Sequence, residues 1–182
     1  ELSEWGIPQV VELAGVGQNL QDHPVVYVPF AIPAPSSIAE WETAANLATW
    51  QAHGTGVASS NISEATAFVR TAAHVGRPDL QYHFCPMVVT NTPATHGFSL
   101  GATLLRPASR GFVSLASPDP LAAPLIQPNY LAEEADMAVL VAGVLLARRL
   151  AGTAAFAPLR PTELEPGTAV SQDDEEAIRE FI

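Results

Sequence analysis

The clearest periodicity in the chain predicts an amphipathic helix at residues 132–151. Its apolar positions recur at i, i+3, i+4 and i+7: Met137, Leu140, Val141, Val144 and Leu145. Acidic residues lie in the first turns, and Arg148 and Arg149 in the last, which is the charge order that a helix dipole favours. A second helix is predicted at about 38–52, with Ser37 as the N-cap, and a third begins near Ser171.

The other apolar residues alternate with polar ones, or form short runs, as is typical of strands. Strands are predicted at residues 8–13, 64–70, 80–89, 98–105 and 112–116, and an extended run at 25–32. Pro29 cannot donate to a ladder, so the run that contains it is expected to be an edge strand or to end early. Residues 106–111 form a turn, after which 112–116 is expected to return beside 98–105. Hairpin-length loops predict an α+β fold, in which an antiparallel β-sheet is covered on one face by helices.

Composition narrows the classes of function. The chain has 182 residues, of which 48% are apolar, enough for one domain with a core, or one domain and a fragment of a second. Its net charge is −11 and all eight basic residues are arginine, so we expect no nucleic-acid partner. No apolar run approaches the ~20 residues of a membrane helix, so no membrane association is expected. No secretion signal is visible at the start, and a cytoplasmic location is the expectation.

The sequence contains partial signals for two further kinds of site, a serine hydrolase site and a metal site. Gly97-Phe98-Ser99-Leu100-Gly101 matches the Gly-x-Ser-x-Gly elbow of serine hydrolases, which needs a strand before the serine and a helix after it. Here a loop precedes Ser99 and a strand-like run follows it, so the context is inverted. A metal site is not predicted, because the candidate ligands lack two tight pairs: His74, His83, Cys85 and His96. A non-catalytic binding module is the remaining alternative.

A polar loop follows the first predicted strand, with the sequence Gly15-Val16-Gly17-Gln18-Asn19-Leu20-Gln21-Asp22-His23-Pro24. Five polar side chains in six residues suggest that each has a defined partner. The loop is no dinucleotide fingerprint, because Leu20 occupies the third glycine position. It resembles the Gly-Val-Gly-x-Asn-Leu-Gln-Asp-His-Pro segment of the glucose–methanol–choline (GMC) family of FAD-dependent alcohol oxidoreductases. Two later runs are similar to that family as well: Arg106-Pro-x-Ser-Arg-Gly and Pro124-x-Ile-x-Pro-Asn-Tyr-Leu131.

The resemblance implies a division of the chain into three parts. Residues 1–23 would flank the FAD-binding domain, 24–160 would form the substrate-binding domain, and 161–182 would return toward the FAD domain. The cofactor-binding residues that it implies are Gly17, Asn19, Gln21, Asp22 and His23. The family's Gly-rich ADP-binding motif and its main catalytic histidine are expected outside the chain, the histidine beyond Ile182. The rest of the FAD domain is therefore an expected partner, and the 182 residues alone are expected neither to hold FAD nor to be active.

Glu64 and His83 are the predicted substrate-binding residues. They lie in neighbouring predicted strands with apolar flanks, so their side chains could share one face and bind a polar or cationic group. From periodicity alone, an internal pair or two unrelated residues remain open. Ser63-Glu64-Ala65 and Pro78-Asp79-Leu80-Gln81-Tyr82-His83 resemble segments of the choline-oxidising branch, which implies a pocket for a small-molecule alcohol. That branch has aromatic residues directly before the glutamate, whereas this chain has Ile62 and Ser63, so choline is only one candidate.

Overall fold

The computed structural model describes residues 1–33, 38–90 and 96–182, which form strands β1–β8 and helices α1–α3. The strands are β1 Gln18–Leu20, β2 Val25–Ala31, β3 Ala65–Val69, β4 Leu80–Cys85, β5 Gly97–Leu104, β6 Gly111–Ser114, β7 Leu125–Gln127 and β8 Thr162–Glu163. The helices are α1 Ala44–His53, α2 Glu134–Ala151 and α3 Glu175–Phe181. Short 3₁₀ turns lie at Leu2–Trp5, Val57–Ser59 and Ala157–Leu159.

The strands of the described residues form two sheets. The larger has five strands in the order β3-β4-β5-β2-β8, and the smaller has three in the order β1-β6-β7. Every pair is antiparallel, which confirms the predicted α+β class. Hairpin-like neighbours account for the β3-β4 and β4-β5 pairs, whereas β2 reaches β5 from much earlier in the chain.

Helix α2 covers one face of the five-stranded sheet, as the periodicity predicted. Its residues Leu140, Val144 and Ala147 are fully buried in one cluster with the inward side chains of β4 and β5. Gly143 allows the closest approach, because a Cβ there would lie 2.9 Å from the Cβ of Ala102. The Tyr82 hydroxyl donates to the Gly143 carbonyl across this interface. Burial of this apolar face, at roughly 25 cal/mol per Å², attaches the helix to the sheet.

Two local predictions about the N-terminal half were wrong. Residues 8–13 form no strand in the structure, and Val10 and Val11 are 98% and 61% exposed. A β-branched run needs a neighbouring strand to pair with, and the described residues supply none there. Helix α1 begins six residues later than predicted, where the Thr43 hydroxyl accepts from the Asn46 N–H. Ser37, the predicted N-cap, lies outside the described residues.

Strand β2 was predicted to be an edge or to end early, and on the side away from β5 it is an edge over most of its seven residues. All seven of its residues pair with β5, and β8 pairs with its last two. The Pro29 carbonyl accepts from the Leu164 N–H on the β8 side. Because the nitrogen and carbonyl of one strand residue point the same way, the proline's missing donor also faces β8 and costs nothing in the β2–β5 ladder.

The predicted return of residues 112–116 beside 98–105 does not occur. Strand β6 pairs with β1 and β7 in the smaller sheet instead of with β5. Gly111 lies so close to β7 that a Cβ would be 2.1 Å from the Gln127 carbonyl oxygen. The loop before it is held by Asp136 of α2, which accepts from the Ala108 and Ser109 N–H groups at 2.7 and 2.9 Å. These tertiary contacts redirect a chain that local turn signals would have folded back.

Candidate functional site

The register of the larger sheet brings four residues into one row. Thr66 lies opposite His83, His83 opposite Gly101, and Gly101 opposite Tyr27. Side chains of directly paired residues point to the same face of a sheet, and here that face is the one that α2 does not cover. We call it the His83 face. Its members in β2 to β5 are Val25, Tyr27, Pro29, Ala31, Thr66, Phe68, Gln81, His83, Cys85, Gly97, Ser99, Gly101 and Thr103.

His83, one of the two predicted substrate-binding residues, lies on this face, and Glu64, the other, lies just before β3 and outside the paired residues. The Glu64 N–H donates to the Phe84 carbonyl at 3.1 Å, although the ladder partner of Phe84 is Ala65, so the β3–β4 register is not continued at Glu64. A serine supports each side chain. Ser60 Oγ donates to Glu64 Oε1 at 2.6 Å, and Ser63 Oγ lies 2.9 Å from His83 Nδ1. Within the described residues, His83 Nε2 and Glu64 Oε2 make no hydrogen bond, so both can face a ligand.

Two further groups of the His83 face carry shifted pKa values. Burial raises the pKa of the Cys85 thiol, and a hydrogen bond from Ser63 offsets part of that rise. Burial also raises the pKa of Tyr27, with a smaller contribution from the nearby Cys85. Both groups therefore stay protonated at neutral pH. A protonated, 2% exposed Cys85 is a poor nucleophile.

The residues predicted to lie beside FAD are on β1 and the segment that leads into β2. Gly17 has φ +75°, and a Cβ there would lie 2.2 Å from the Val113 carbonyl oxygen, so only glycine fits against β6. Its own carbonyl accepts from the Val113 N–H at 2.7 Å. Asn19 also has a positive φ of 62°, which an asparagine tolerates better than most residues. This backbone holds the segment rigidly against the smaller sheet.

Asp22 is bound within the chain by both carboxylate oxygens. Oδ1 accepts from the His23 N–H at 2.7 Å, and Oδ2 accepts from the Tyr130 hydroxyl. The Tyr130 bond is the main reason that the pKa of Asp22 lies below its usual value. The carboxylate thus joins the segment after β1 to the loop after β7, which makes Asp22 a residue that positions its neighbours.

The side chains around Asp22 differ in how they are satisfied. Gln21 Nε2 donates to the Asn19 carbonyl at 3.5 Å, a weak bond. The Asn19 amide and the His23 imidazole are exposed and make no hydrogen bond to any part of the chain that the structure describes. Amide and imidazole groups can donate to the carbonyl oxygens and ring nitrogens of a flavin. The donor set of this segment therefore fits the cofactor that the resemblance implies.

The serine hydrolase alternative is wrong. Ser99 lies inside β5, is fully buried, and is followed by more strand instead of a helix. Its hydroxyl donates to the Met87 carbonyl at 2.9 Å and accepts from the Val89 N–H at 2.8 Å. Both bonds attach the segment after β4 to the sheet, so backbone groups engage the hydroxyl that a hydrolase would need as its nucleophile.

Residues 1–33, 38–90 and 96–182 lack two further features. They contain no group of three or more histidine, cysteine, aspartate or glutamate side chains arranged to hold a metal ion. In the same ranges no helix combines the length and the hydropathy needed to cross a bilayer.

Tyr27 is the candidate residue that the sequence reasoning missed. It is the one aromatic residue among the valines at the start of β2, and its partner in the register is Gly101. A glycine in the interior of a strand often marks a place where another group approaches the backbone closely. The glycine in the 98–105 strand was therefore a usable signal, although it does not say which residue approaches.

Comparisons with known proteins agree with this architecture. Residues 107–182 match a family model described as GMC oxidoreductase. The chain is 39% identical over 190 residues to an oxygen-dependent choline dehydrogenase of Brucella anthropi, covering 100% of this chain and 34% of that protein. It is 38% identical over 182 residues to an oxygen-dependent choline dehydrogenase of Chromohalobacter salexigens, covering 96% of this chain and 33% of that protein. The chain thus spans about a third of the length of these curated relatives.

Solved structures with the same fold extend over the whole chain. A variant formate oxidase of Aspergillus oryzae RIB40 superposes with a TM-score of 0.84 at 23% identity, covering 98% of this chain and 37% of that one. An FAD-dependent oxidoreductase of Chaetomium thermophilum gives a TM-score of 0.76 at 21% identity, covering 99% and 39%. The family match over residues 107–182, the identities to choline dehydrogenases and the shared fold lead to one conclusion: the chain is homologous to part of the GMC oxidoreductases.

Proposed function

We propose that the chain is the substrate-binding part of an FAD-dependent oxidoreductase that acts on the CH–OH group of an alcohol. One observation carries the proposal: His83 lies on the sheet face that α2 leaves uncovered, Glu64 directly follows the serine that contacts His83, and each of the two has a serine partner and a free polar atom. Homology to the GMC oxidoreductases supports the reaction type. The names of relatives at 37–39% identity support choline as the first substrate to test.

The chain's own residues would bind and orient the alcohol. Ser63 holds His83 Nδ1, which leaves Nε2 to form a hydrogen bond with a substrate hydroxyl. Glu64 directly follows Ser63 and has an exposed carboxylate, which can attract a positively charged substrate group near His83. Ser63 occupies a position directly before Glu64 and is engaged with His83, so it adds no aromatic surface there.

The flavin-facing residues would belong to a different part of the chain. We propose that Gly17, Asn19, Gln21 and His23 lie along the cofactor, with Asp22 positioning them through its bond to Tyr130. FAD, when bound, supplies the acceptor for the hydride. The proposed division is residues 1–23 as flank of the FAD domain, 24–160 as substrate-binding domain, and 161–182 as the return toward the FAD domain.

The test uses the full-length protein that contains the chain, with its flavin content measured first. Glu64→Gln and His83→Asn should each lower kcat/KM for choline at least about tenfold, because a hydrogen bond to a charged group contributes about 1.5–3 kcal/mol. Glu176→Gln removes a charge of the same kind from α3, away from the His83 face, and should leave kcat/KM unchanged.

Two results would contradict the proposal. If the full-length protein binds no flavin or oxidises no alcohol, the chain belongs to a binding module instead. If it oxidises alcohols and both variants keep the unaltered kcat/KM, the pocket lies elsewhere. The 182 residues expressed alone are expected to retain no flavin after gel filtration and to show no turnover.

A further inference from the structure

We propose that the ring of Tyr27, which lies across Gly101, is a third substrate-contacting group on the His83 face and binds the positively charged end of an alcohol. The inference rests on the proposed function, because it assigns a further residue and a substrate class to the same pocket. It arises from the strand register and from the close approach of Tyr27 to Gly101, neither of which was a predicted site residue.

The Tyr27 ring lies over the backbone of Gly101. Tyr27 and His83 flank Gly101 from the two neighbouring strands, so their backbones are two strand spacings apart, roughly 10 Å. A Cβ placed on Gly101 would be 2.7 Å from Tyr27 Cε1, 3.1 Å from Cδ1 and 3.3 Å from Cζ. The ring therefore leans from β2 over the backbone of β5, toward His83 on β4.

Residue 101, in the interior of β5, is a glycine. A glycine in a strand interior normally weakens the strand, because it has no side chain to pack. Here the space above it is occupied by the Tyr27 ring, and any side chain would displace that ring by several tenths of an ångström or more. The backbone conformation does not require glycine, since no positive φ occurs at this residue. The close approach of the ring is thus the reason for the glycine.

The Tyr27 ring has properties that suit a positively charged ligand. Tyr27 is half-buried, and its hydroxyl makes no hydrogen bond to any of the described residues. Burial raises its pKa, so the phenol is neutral and its ring carries the negative face that attracts cations. Glu64, whose neighbour Ser63 contacts His83, contributes a carboxylate near this face, in a chain whose net charge is −11. An aromatic ring and a carboxylate together favour a ligand with a positive charge.

The resemblance to the choline-oxidising branch suggested aromatic residues directly before Glu64, whereas Tyr27 lies on β2. The two residues before Glu64 are Ile62 and Ser63, and Ser63 is bound to His83. The aromatic group of this pocket therefore comes from β2 instead of from the residues before β3. Phe68 also lies on the His83 face, but it is opposite Gln81 on the outer strand and two residues from the row that contains His83.

The experiment compares two alcohols of nearly the same shape in the full-length protein. Choline carries a quaternary ammonium group, and 3,3-dimethylbutan-1-ol replaces its nitrogen with carbon. Tyr27→Leu should raise KM for choline roughly 2- to 30-fold with little change in kcat, since a cation–π contact contributes about 0.5–2 kcal/mol. KM for the uncharged alcohol should change by less than about twofold. Tyr27→Phe keeps the ring and should behave like the unaltered protein.

Three further measurements complete the test. Gly101→Ala, which displaces the ring without removing it, should raise KM for choline as Tyr27→Leu does. Phe68→Leu is the matched control, and it should leave both KM values unchanged. Tetramethylammonium, a probe that cannot be oxidised, should inhibit competitively, and its inhibition constant should rise in Tyr27→Leu by the same factor as KM for choline. Flavin content and melting temperature of each variant are checked beforehand.

The outcomes separate this inference from the proposed function. An unchanged KM for choline in Tyr27→Leu, or an equal rise for both alcohols, overturns the assignment of Tyr27 to a cationic group. A loss in Tyr27→Phe as large as in Tyr27→Leu also overturns it, because the hydroxyl would then be the contact. If Glu64→Gln and His83→Asn reduce kcat/KM while Tyr27→Leu does not, only this inference fails. If the protein oxidises no alcohol, the proposed function fails with it.

Discussion

The ion pair between Arg148 and Glu163 is the most informative place to perturb the stability of the fold. Arg148 Nε lies 2.9 Å from Glu163 Oε2 and Nη2 lies 2.8 Å from Oε1, so the pair is bidentate. The side chains are only 15% and 9% exposed. The Gly167 N–H also donates to Oε1 at 3.1 Å. The pair connects the last turns of α2 to β8, which extends the sheet beside β2.

The expected cost of Glu163→Gln follows from this burial. Removing one partner of a buried pair typically costs about 3–5 kcal/mol, because the remaining charge is left without compensation. Glutamine keeps one carbonyl oxygen as an acceptor, so we expect a loss near the lower limit, about 3 kcal/mol. Arg148 Nη1 is already buried without a hydrogen bond in the described part of the chain, so the guanidinium has no second acceptor to turn to.

The control is an ion pair of the same chemistry at the surface. Arg179 Nε and Glu175 Oε1 are 3.0 Å apart at i, i+4 in α3, with side chains 31% and 64% exposed. Exposed pairs of this kind contribute about 0–1 kcal/mol, so Glu175→Gln should lower the free energy of unfolding by less than about 1 kcal/mol.

The assay is equilibrium urea unfolding of the full-length protein, arranged as a double-mutant cycle. Arg148→Met keeps the apolar stem and removes the charge. The double variant Arg148→Met/Glu163→Gln should lose about 2 kcal/mol less free energy of unfolding than the two single variants lose together, because no charge is then left buried. A loss below about 1 kcal/mol for Glu163→Gln, or strictly additive losses in the cycle, would refute the reasoning.

Three further predictions concern contacts of Gly143, Asp136 and Ser63. Gly143→Ala should lower the free energy of unfolding by about 1–3 kcal/mol, because its Cβ would lie 2.9 Å from a methyl group of β5, whereas Gly152→Ala, with no contact below 3.5 Å, should change it little in a thermal melt. The pKa of Asp136 lies below its usual 3.8, since burial raises it but two backbone N–H groups and a serine hydroxyl lower it more. Its stabilisation is thus complete above the unfolded pKa and is lost as the pH falls through the lower folded pKa, so Asp136→Asn should flatten the acid limb of stability measured by urea unfolding between about pH 5 and pH 2. Ser63→Ala removes the 2.9 Å contact with His83 Nδ1 and should raise KM for choline about two- to tenfold, more than it changes kcat; an unchanged KM would show that Ser63 does not position the ring.

Local patterns predicted the elements whose burial is periodic. Helix α2 has an apolar stripe and an ordered charge distribution, and the structure places it at Glu134–Ala151 against the predicted 132–151. Strands β3, β4 and β5 were predicted within a few residues of their observed bounds. Glu64 and His83 were predicted to share a face; the β3–β4 register places His83 on the face that α2 leaves uncovered, whereas Glu64 lies just before the paired residues. Their roles as substrate-binding residues stay predictions.

Other features depend on contacts between distant parts of the chain. The short strands β1, β7 and β8 have two or three residues each, too few to carry a periodic signal. Residues 8–13 have the composition of a strand without a partner among the described residues. Asp22 was predicted to face the cofactor, but its carboxylate is engaged by Tyr130, 108 positions later in the chain. No local pattern reports such a bond.

By itself, the sequence determined which segments bury an apolar face, because side-chain periodicity is a property of neighbouring residues. It also carried the motifs in which the chain resembles the GMC oxidoreductases. Only the tertiary structure decided that β6 leaves β5 for the smaller sheet, that Pro29 turns its missing donor toward β8, and that Tyr27 lies over Gly101. The physical reason is that sheet order and close approach depend on which distant backbones meet, and that is set by packing of the whole fold rather than by any local run of residues.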